Sequence, residues 1–253
     1  MTLILNLIIM FMFSTSILAL EKGETEITTE DGIEVFQNEK YYLLKKNVKI
    51  LSDTFSLNAD LVKIDFDKSL YDIVELNAEG NVDFISPEFK LNGNGEKLRF
   101  EVDVEKLKVE GVKSKLITED IEMFSDGYIE VNNINGNFSL MGPNSKLTNE
   151  TILIKGNSIK GIFSSKEDQK EVIFLDVFDD KISYAKNSDT EMFAKKIIFN
   201  NEISLIELID DVTIIRDGEK ITGNYGALDT KNNSYKIKSD NKTKVKVIIQ
   251  NDE

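Results

Sequence analysis

From Val35 onward, apolar and polar residues alternate with a period of two. Val62-Lys63-Ile64-Asp65-Phe66-Asp67 shows it cleanly, and Leu76–Phe84, Leu98–Val102, Leu107–Val109 and Lys244–Val247 repeat it. Successive side chains on a strand point to opposite faces, so this alternation predicts strands with one buried and one wetted face. The breaks between them are Asp67-Lys68-Ser69, Asn92-Gly93-Asn94-Gly95, Ser125-Asp126-Gly127, Asp217-Gly218 and Lys231-Asn232-Asn233. Asn, Asp and Gly supply the positive φ angles that tight turns need. Gly156-Asn157-Ser158-Ile159-Lys160-Gly161 also reads as a turn, one residue away from a nucleophile-elbow spacing. Turns every 10–15 residues or so predict roughly 14–18 strands. Ile197–Leu208 is the one helical candidate, and its β-branched content assigns it to strand. The chain reads as all-β.

One unit recurs. Asn58–Phe84 pairs two alternating strands around a polar turn and closes on Gly80-Asn81-Val82. Looser echoes lie at Lys45–Ile50, Asn133–Leu140, Ile209–Ile215 and Ile221–Ile237. Repetition of a strand-turn-strand unit implies stacked β-structure around a continuous apolar trough. Ala59, Ala78, Gly80, Gly111, Gly136 and Gly223 are small residues at expected inward positions, where a folded-over sheet bends. They favour a curved jelly roll over a flat sandwich. With two prolines, Pro87 and Pro143, and no linker, residues 35–253 read as one domain.

Ahead of it, Glu21–Glu34 is an acidic lead-in, expected to be frayed. Met1–Leu20 carries no charged side chain, and its apolar run Leu7–Phe13 ends at Ser14-Thr15-Ser16. This is the layout of a helical secretory signal, with cleavage expected after Ala19; about 20 apolar residues also suffice for a retained membrane anchor.

Composition narrows the chemistry. The 253-residue chain has a net charge of −14 and contains no Cys, His or Trp. Thiolate and imidazole ligands, disulfides and the commonest general base are therefore absent, so no cofactor, metal site or catalytic residue is expected. The acid excess argues against nucleic acid. Asp65/Asp67, Asp179/Asp180 and Asp210/Asp211 lack a calcium-loop pattern and read as solvated carboxylates. Lysines 231, 236, 238, 242, 244 and 246 make the C-terminal region locally basic.

The segments Asn47–Phe84 (NVKI, then ADLVKID, then LNAEGNVDF) and Gly218–Ile237 (GEKITGNYGALDTKNNSYKI) resemble the OstA-like family. These are periplasmic lipopolysaccharide-transport proteins, typified by the bridge protein LptA. The resemblance is best over residues 35–111 and 207–249 and thin across 113–202. It implies an elongated, twisted, incompletely closed β-jelly roll whose apolar groove shields the acyl chains of lipid A while sugars face water. It also implies a periplasmic location in a Gram-negative bacterium, LptC-like and LptD-like jelly rolls as partners, and head-to-tail stacking of copies. A retained leader would fit a membrane-anchored LptC-like subunit instead. A structural β-solenoid or adhesin without a groove is the alternative from another class.

Matched to the family's inward positions, the expected groove residues in the first unit are Val48, Ile50, Leu57, Ala59, Val62, Ile64, Phe66, Leu76, Ala78, Val82 and Phe84. In the last unit they are Val212, Ile214, Ile221, Tyr225 and Ile237. Each is equally suited to ordinary core. The terminal strand Lys244, Val245, Lys246, Val247, Ile248 and Ile249 is the expected edge for extending a partner's sheet. Some eight rungs about 4.8 Å apart would span roughly 40 Å.

Overall fold

The computed structural model describes residues 24–166, 169–187, 189–232, 234–240 and 244–249; the expected signal helix at Met1–Leu20 lies outside them. The described chain is all strand and turn. Its strands are β1 (Thr25–Thr28), β2 (Ile33–Phe36), β3 (Tyr41–Ser52), β4 (Ser56–Phe66), β5 (Ile73–Ser86), β6 (Leu91–Glu101), β7 (Lys106–Glu110), β8 (Ser114–Thr118) and β9 (Glu122–Ser125). They continue as β10 (Tyr128–Asn132), β11 (Asn137–Thr148), β12 (Leu153–Lys166), β13 (Gln169–Lys186), β14 (Thr190–Asn200), β15 (Leu205–Arg216), β16 (Glu219–Asp229), β17 (Ser234–Lys238) and β18 (Lys246–Ile249).

All eighteen belong to one sheet, and every pairing is antiparallel. Long strands run β3–β6 and β11–β16, and each loses register near its middle. There the sheet folds over on itself into two facing arms. The short strands are long strands broken at the same line. β1 and β2 pair with opposite halves of β3, β7 and β8 with opposite halves of β6, β9 and β10 with opposite halves of β11, and β18 and β17 with opposite halves of β16. The result is a stack of fourteen rungs, about 60 Å long at the usual strand spacing. The expectation of some eight rungs is exceeded because residues 113–202 contribute full rungs. An antiparallel meander is also unlike the parallel coils of a β-solenoid.

The recurrent sequence unit marks the fold line. Lys46-Asn47, Gly80-Asn81 and Asp210-Asp211 all have positive φ, and each is followed by a buried valine, Val48, Val82 or Val212. In β3 and β15 this inserts one extra residue against β4 and β16, a bulge that bends the strand. Beyond the bend six cross-strand pairs follow one another along the fold line: Val48/Ala59, Val82/Gly95, Ser114/Ser125, Ser145/Gly156, Ser183/Ala194 and Val212/Gly223. Every member is small, because the two arms converge there.

In the middle of the chain the valines of this row are replaced by serines, which is why the repeat looks blurred in sequence. The serines are buried and employed. Ser114 Oγ donates to the Gly111 carbonyl (2.8 Å), Ser183 Oγ to that of Lys195 (3.1 Å), and Ser125 and Ser145 share a 3.0 Å hydrogen bond. They satisfy carbonyls that the bend removes from the ladder.

Several expected turns are displaced. Asp217-Gly218 is a hairpin turn with φ of 49° and 78° at its two central residues. Asn92–Gly95 lies inside β6 and Gly156–Gly161 inside β12; their glycines make room for neighbouring side chains and do not reverse the chain. Gly136 sits at the β10–β11 hairpin with φ 72°, not on an inward face. The expected frayed lead-in contributes β1 and part of β2 to the edge rung.

Ser125-Asp126-Gly127 also belongs to the fold line. Asp126 accepts hydrogen bonds from Asn144 Nδ2 (2.6 Å) and the Lys113 N–H (2.9 Å), tying three rungs together, and these bonds hold its carboxyl below the ordinary aspartate range. A depressed folded-state pKa stabilises above the unfolded value of about 3.9, and that contribution vanishes as pH falls through the folded value. Asp126→Ala is therefore expected to lower Tm at neutral pH, with the difference from wild type shrinking below about pH 4, measured by thermal unfolding across pH.

Candidate binding groove

Because the arms meet at the small-residue row, they diverge toward the hairpin tips. Two apolar rows face each other across the gap. On the first arm the register runs Val35, Tyr42, Ile64, Leu76, Phe100, Leu107, Val131, Phe138, Gly161, Leu175, Phe199, Ile206 and Leu228. On the second it runs Ile27, Ile50, Leu57, Phe84, Gly93, Leu116, Met123, Leu147, Ile154, Ala185, Met192, Ile214 and Ile221.

In the N-terminal half these rows stand apart and enclose a groove of about 840 Å³. Val35, Tyr42, Ile64, Leu76, Phe100, Leu107 and Val131 form one wall; Ile27, Ile50, Phe84 and Leu91 form the other. Thr25, Ser52, Thr54 and Ser86 add hydroxyls toward the second arm's rim. Ile33 and Val35 line the groove yet remain 50% and 47% exposed, so it is open at the β1/β2 edge.

The mouth is formed by hairpin tips. Leu70 and Tyr71 come from the β4–β5 turn, and Tyr71 is 92% exposed. The Tyr42 hydroxyl donates to the Leu70 carbonyl (3.1 Å), fixing that turn against the wall, and burial pushes the phenol's pKa up. Phe89, on a second-arm tip, reaches the first-arm ring of Phe100 edge-on with centroids 6.2 Å apart. The charged lining residues are Asp72, Glu88, Asp103 and Glu105, all acidic. Glu105 accepts from Asn133 Nδ2 (2.6 Å) and Asp72 from the Lys68 N–H (3.3 Å). The groove is thus an apolar slot with a negative rim: it can shelter hydrocarbon and keep a polar head at the mouth.

Of the expected groove residues, Ile50, Ile64, Leu76 and Phe84 line it. Val48, Leu57, Ala59, Val62, Phe66, Ala78 and Val82 are buried in the packed floor and walls of the same half. Val212, Ile214 and Ile221 are buried in the C-terminal half, where the arms pack together, and Ile237 is partly buried there. Tyr225 faces outward: its hydroxyl donates to Glu207 Oε1 (2.6 Å) and Lys238 Nζ lies 5.8 Å from its ring. The bend in β16 shifts the inward set from Ile221 and Gly223 to Gly226 and Leu228, so simple alternation fails at Tyr225.

The expected edge strand begins at Lys246; Lys244 and Val245 precede it without strand pairing. Val247, Ile248 and Ile249 are exposed on β18, whose described partner is β16. Sequence reading missed Ile27 and Ile33, which sit in the acidic lead-in. It also missed Tyr42, whose doubled YYLL context hides the alternation, and Phe100, Leu107 and Val131, whose period-two pattern was available.

Among the described residues no cluster of metal-ligating side chains is present and no helix is long and apolar enough to cross a membrane. No protein-family model and no curated relative matches the chain. Among solved structures it is similar to the crystal structure of LptH, the LptA-homologous periplasmic component of the lipopolysaccharide transport device of Pseudomonas aeruginosa. The match has 16% identity and a TM-score of 0.42, covering 52% of this chain and 95% of that one.

The Phe84 wall depends on a bare neighbour. A Cβ on Gly93 would lie 2.8 Å from Phe84 Cζ and 2.5 Å from the Lys115 carbonyl oxygen. Gly93→Ala is expected to cost about 1–3 kcal/mol of stability, read by chemical denaturation, and the loss should shrink in a Phe84→Leu background.

Proposed function

We propose that this protein is a non-enzymatic carrier that holds the acyl chains of a lipid, lipopolysaccharide in the reading the sequence favours, while that lipid crosses the periplasm between inner and outer membranes. The observation that carries the proposal is the open, apolar 840 Å³ groove between the arms. Each methylene transferred from water to such a surface gains about 0.8 kcal/mol. An acyl chain therefore crosses an aqueous space far more readily when sheltered, and no bond need be made or broken. The OstA-like motifs support the same reading, since two of them, Gly80-Asn81-Val82 and the Lys46-Asn47-Val48 echo, build the corner that makes the groove.

In this reading sugars and phosphates stay outside the negative rim. The two exposed ends of the stack, β1/β2 and β17/β18, are the edges by which LptC-like and LptD-like jelly rolls, or further copies of this chain, would extend the sheet.

The test uses residues whose exposure makes folding insensitive to change. Ile33→Glu combined with Val35→Glu places two charges in the groove's open end and is expected to weaken binding of a fluorescent palmitoyl lysophospholipid at least tenfold. Val112→Glu, exposed at the fold line, should leave binding unchanged. Equal binding by all three proteins would refute the assignment of the groove as the lipid site.

A further inference from the structure

The groove does not run the length of the stack. Its first-arm wall follows one register row from Val35 to Val131 and stops, although the row itself continues. The next residue on the row is Phe138, the cross-strand partner of Val131. Its ring stacks face to face on Phe163, with centroids 4.1 Å apart and planes 20° from parallel. Both rings are almost wholly buried, at 4% and 5% exposure.

The backbone is shaped around this pair. Gly161, the partner of Phe138 in β12, is bare where any Cβ would run into the Phe138 ring. The Phe163 N–H donates to the Gly136 carbonyl (2.9 Å), pinning the second ring at the β10–β11 hairpin. Phe84 offers the contrast: it too lies over a glycine, Gly93, but among the described residues no second ring stacks on it, and it forms groove wall. Beyond Phe138 the same row continues through Leu175, which is buried in the packed core. A smaller cavity of about 290 Å³ in the C-terminal half is lined by Phe193, Thr213 and Ile215, which alternate with the inward Met192 and Ile214; it lies on the other face and does not prolong the groove.

We infer that Phe138 and Phe163 form a stop that makes the groove a single-ended pocket, filled and emptied through the β1/β2 edge and the mouth, instead of a conduit open from end to end. This rests on the lipid reading above and adds a direction to it: cargo enters and leaves by the N-terminal half. The pocket covers seven rungs, about 30 Å. One bilayer leaflet contributes about 15 Å of hydrocarbon, so a membrane lipid's chains fit without passing the stop.

Site-specific photo-crosslinking with a diazirine-bearing leucine analogue tests this, using the palmitoyl lysophospholipid as probe on the full chain. The analogue replaces Leu76, Leu107, Leu175 or Leu228, all on the first-arm row. Adducts are expected at Leu76 and Leu107 and at background level at Leu175 and Leu228. Phe138→Ala with Phe163→Ala should raise the Leu175 adduct at least tenfold. Phe163→Leu, which removes the stack while keeping an apolar filler, should raise it less. A wild-type adduct at Leu175 equal to that at Leu107 would overturn the stop. So would a folded, lipid-binding double variant with no gain there. Absence of adducts at Leu76 and Leu107 as well would refute the lipid reading itself, which separates the two failures.

Discussion

Everything in this fold depends on how closely two arms of one sheet can approach at the line where the sheet doubles back. A strand cannot be bent through that angle while its inward side chains stay large, because both arms compete for the same volume. The row Val48 to Gly223 resolves this with valine, alanine, serine and glycine alone. Where the row carries serine, the hydroxyls also donate to the carbonyls of Gly111, Met141, Gly142 and Lys195 beside the broken register. Positive-φ pairs such as Lys46-Asn47 and Asp210-Asp211 supply the backbone side of the bend. Asn and Asp tolerate the left-handed region at lower cost than other residues with a side chain.

The groove is a geometric consequence of that corner. Arms that touch along one line must diverge away from it, and the space opened between them is filled or left empty by the side chains on the facing rows. In the C-terminal half it is filled by Phe138, Phe163, Leu175 and their neighbours. In the N-terminal half the walls leave a slot whose floor is the same packed core. One continuous hydrophobic core therefore holds both halves in shape, and the empty slot is stabilised by rows that are elsewhere closed. The acidic residues Asp72, Glu88, Asp103 and Glu105 place negative charge at the mouth of that apolar slot.

Much of this was legible residue by residue. Alternation located β4 and β5 and marked Val62, Ile64 and Phe66 as inward, while Leu57 and Ala59 came from the family resemblance; all five are buried, across a phase shift at Asp60. The echoes at Lys45–Ile50 and Ile209–Ile215 were real, but they mark bends within strands and not reversals between them. Asn92–Gly95 and Gly156–Gly161 carry turn chemistry yet lie in strands, since glycine serves close packing as well as positive φ. Tyr225 went astray because a bend changes the parity of inward positions, and a period-two pattern carries no marker for that change. Residues 113–202 looked irregular because serine at the corner does the work of valine with no hydrophobic signal.

By itself the sequence determined the all-β class, most strand positions and some of the small residues at the bends, Ala59 and Gly223 among them, because those depend on local backbone preference and a two-residue period. The tertiary structure alone decided which inward residues are core and which are wall. Two side chains with identical local patterns, such as Leu107 and Leu175, differ only in what stands opposite them across the fold. Whether the space between is empty or filled is a property of two arms distant in sequence, and it is there that the groove begins at Ile33 and ends against Phe138.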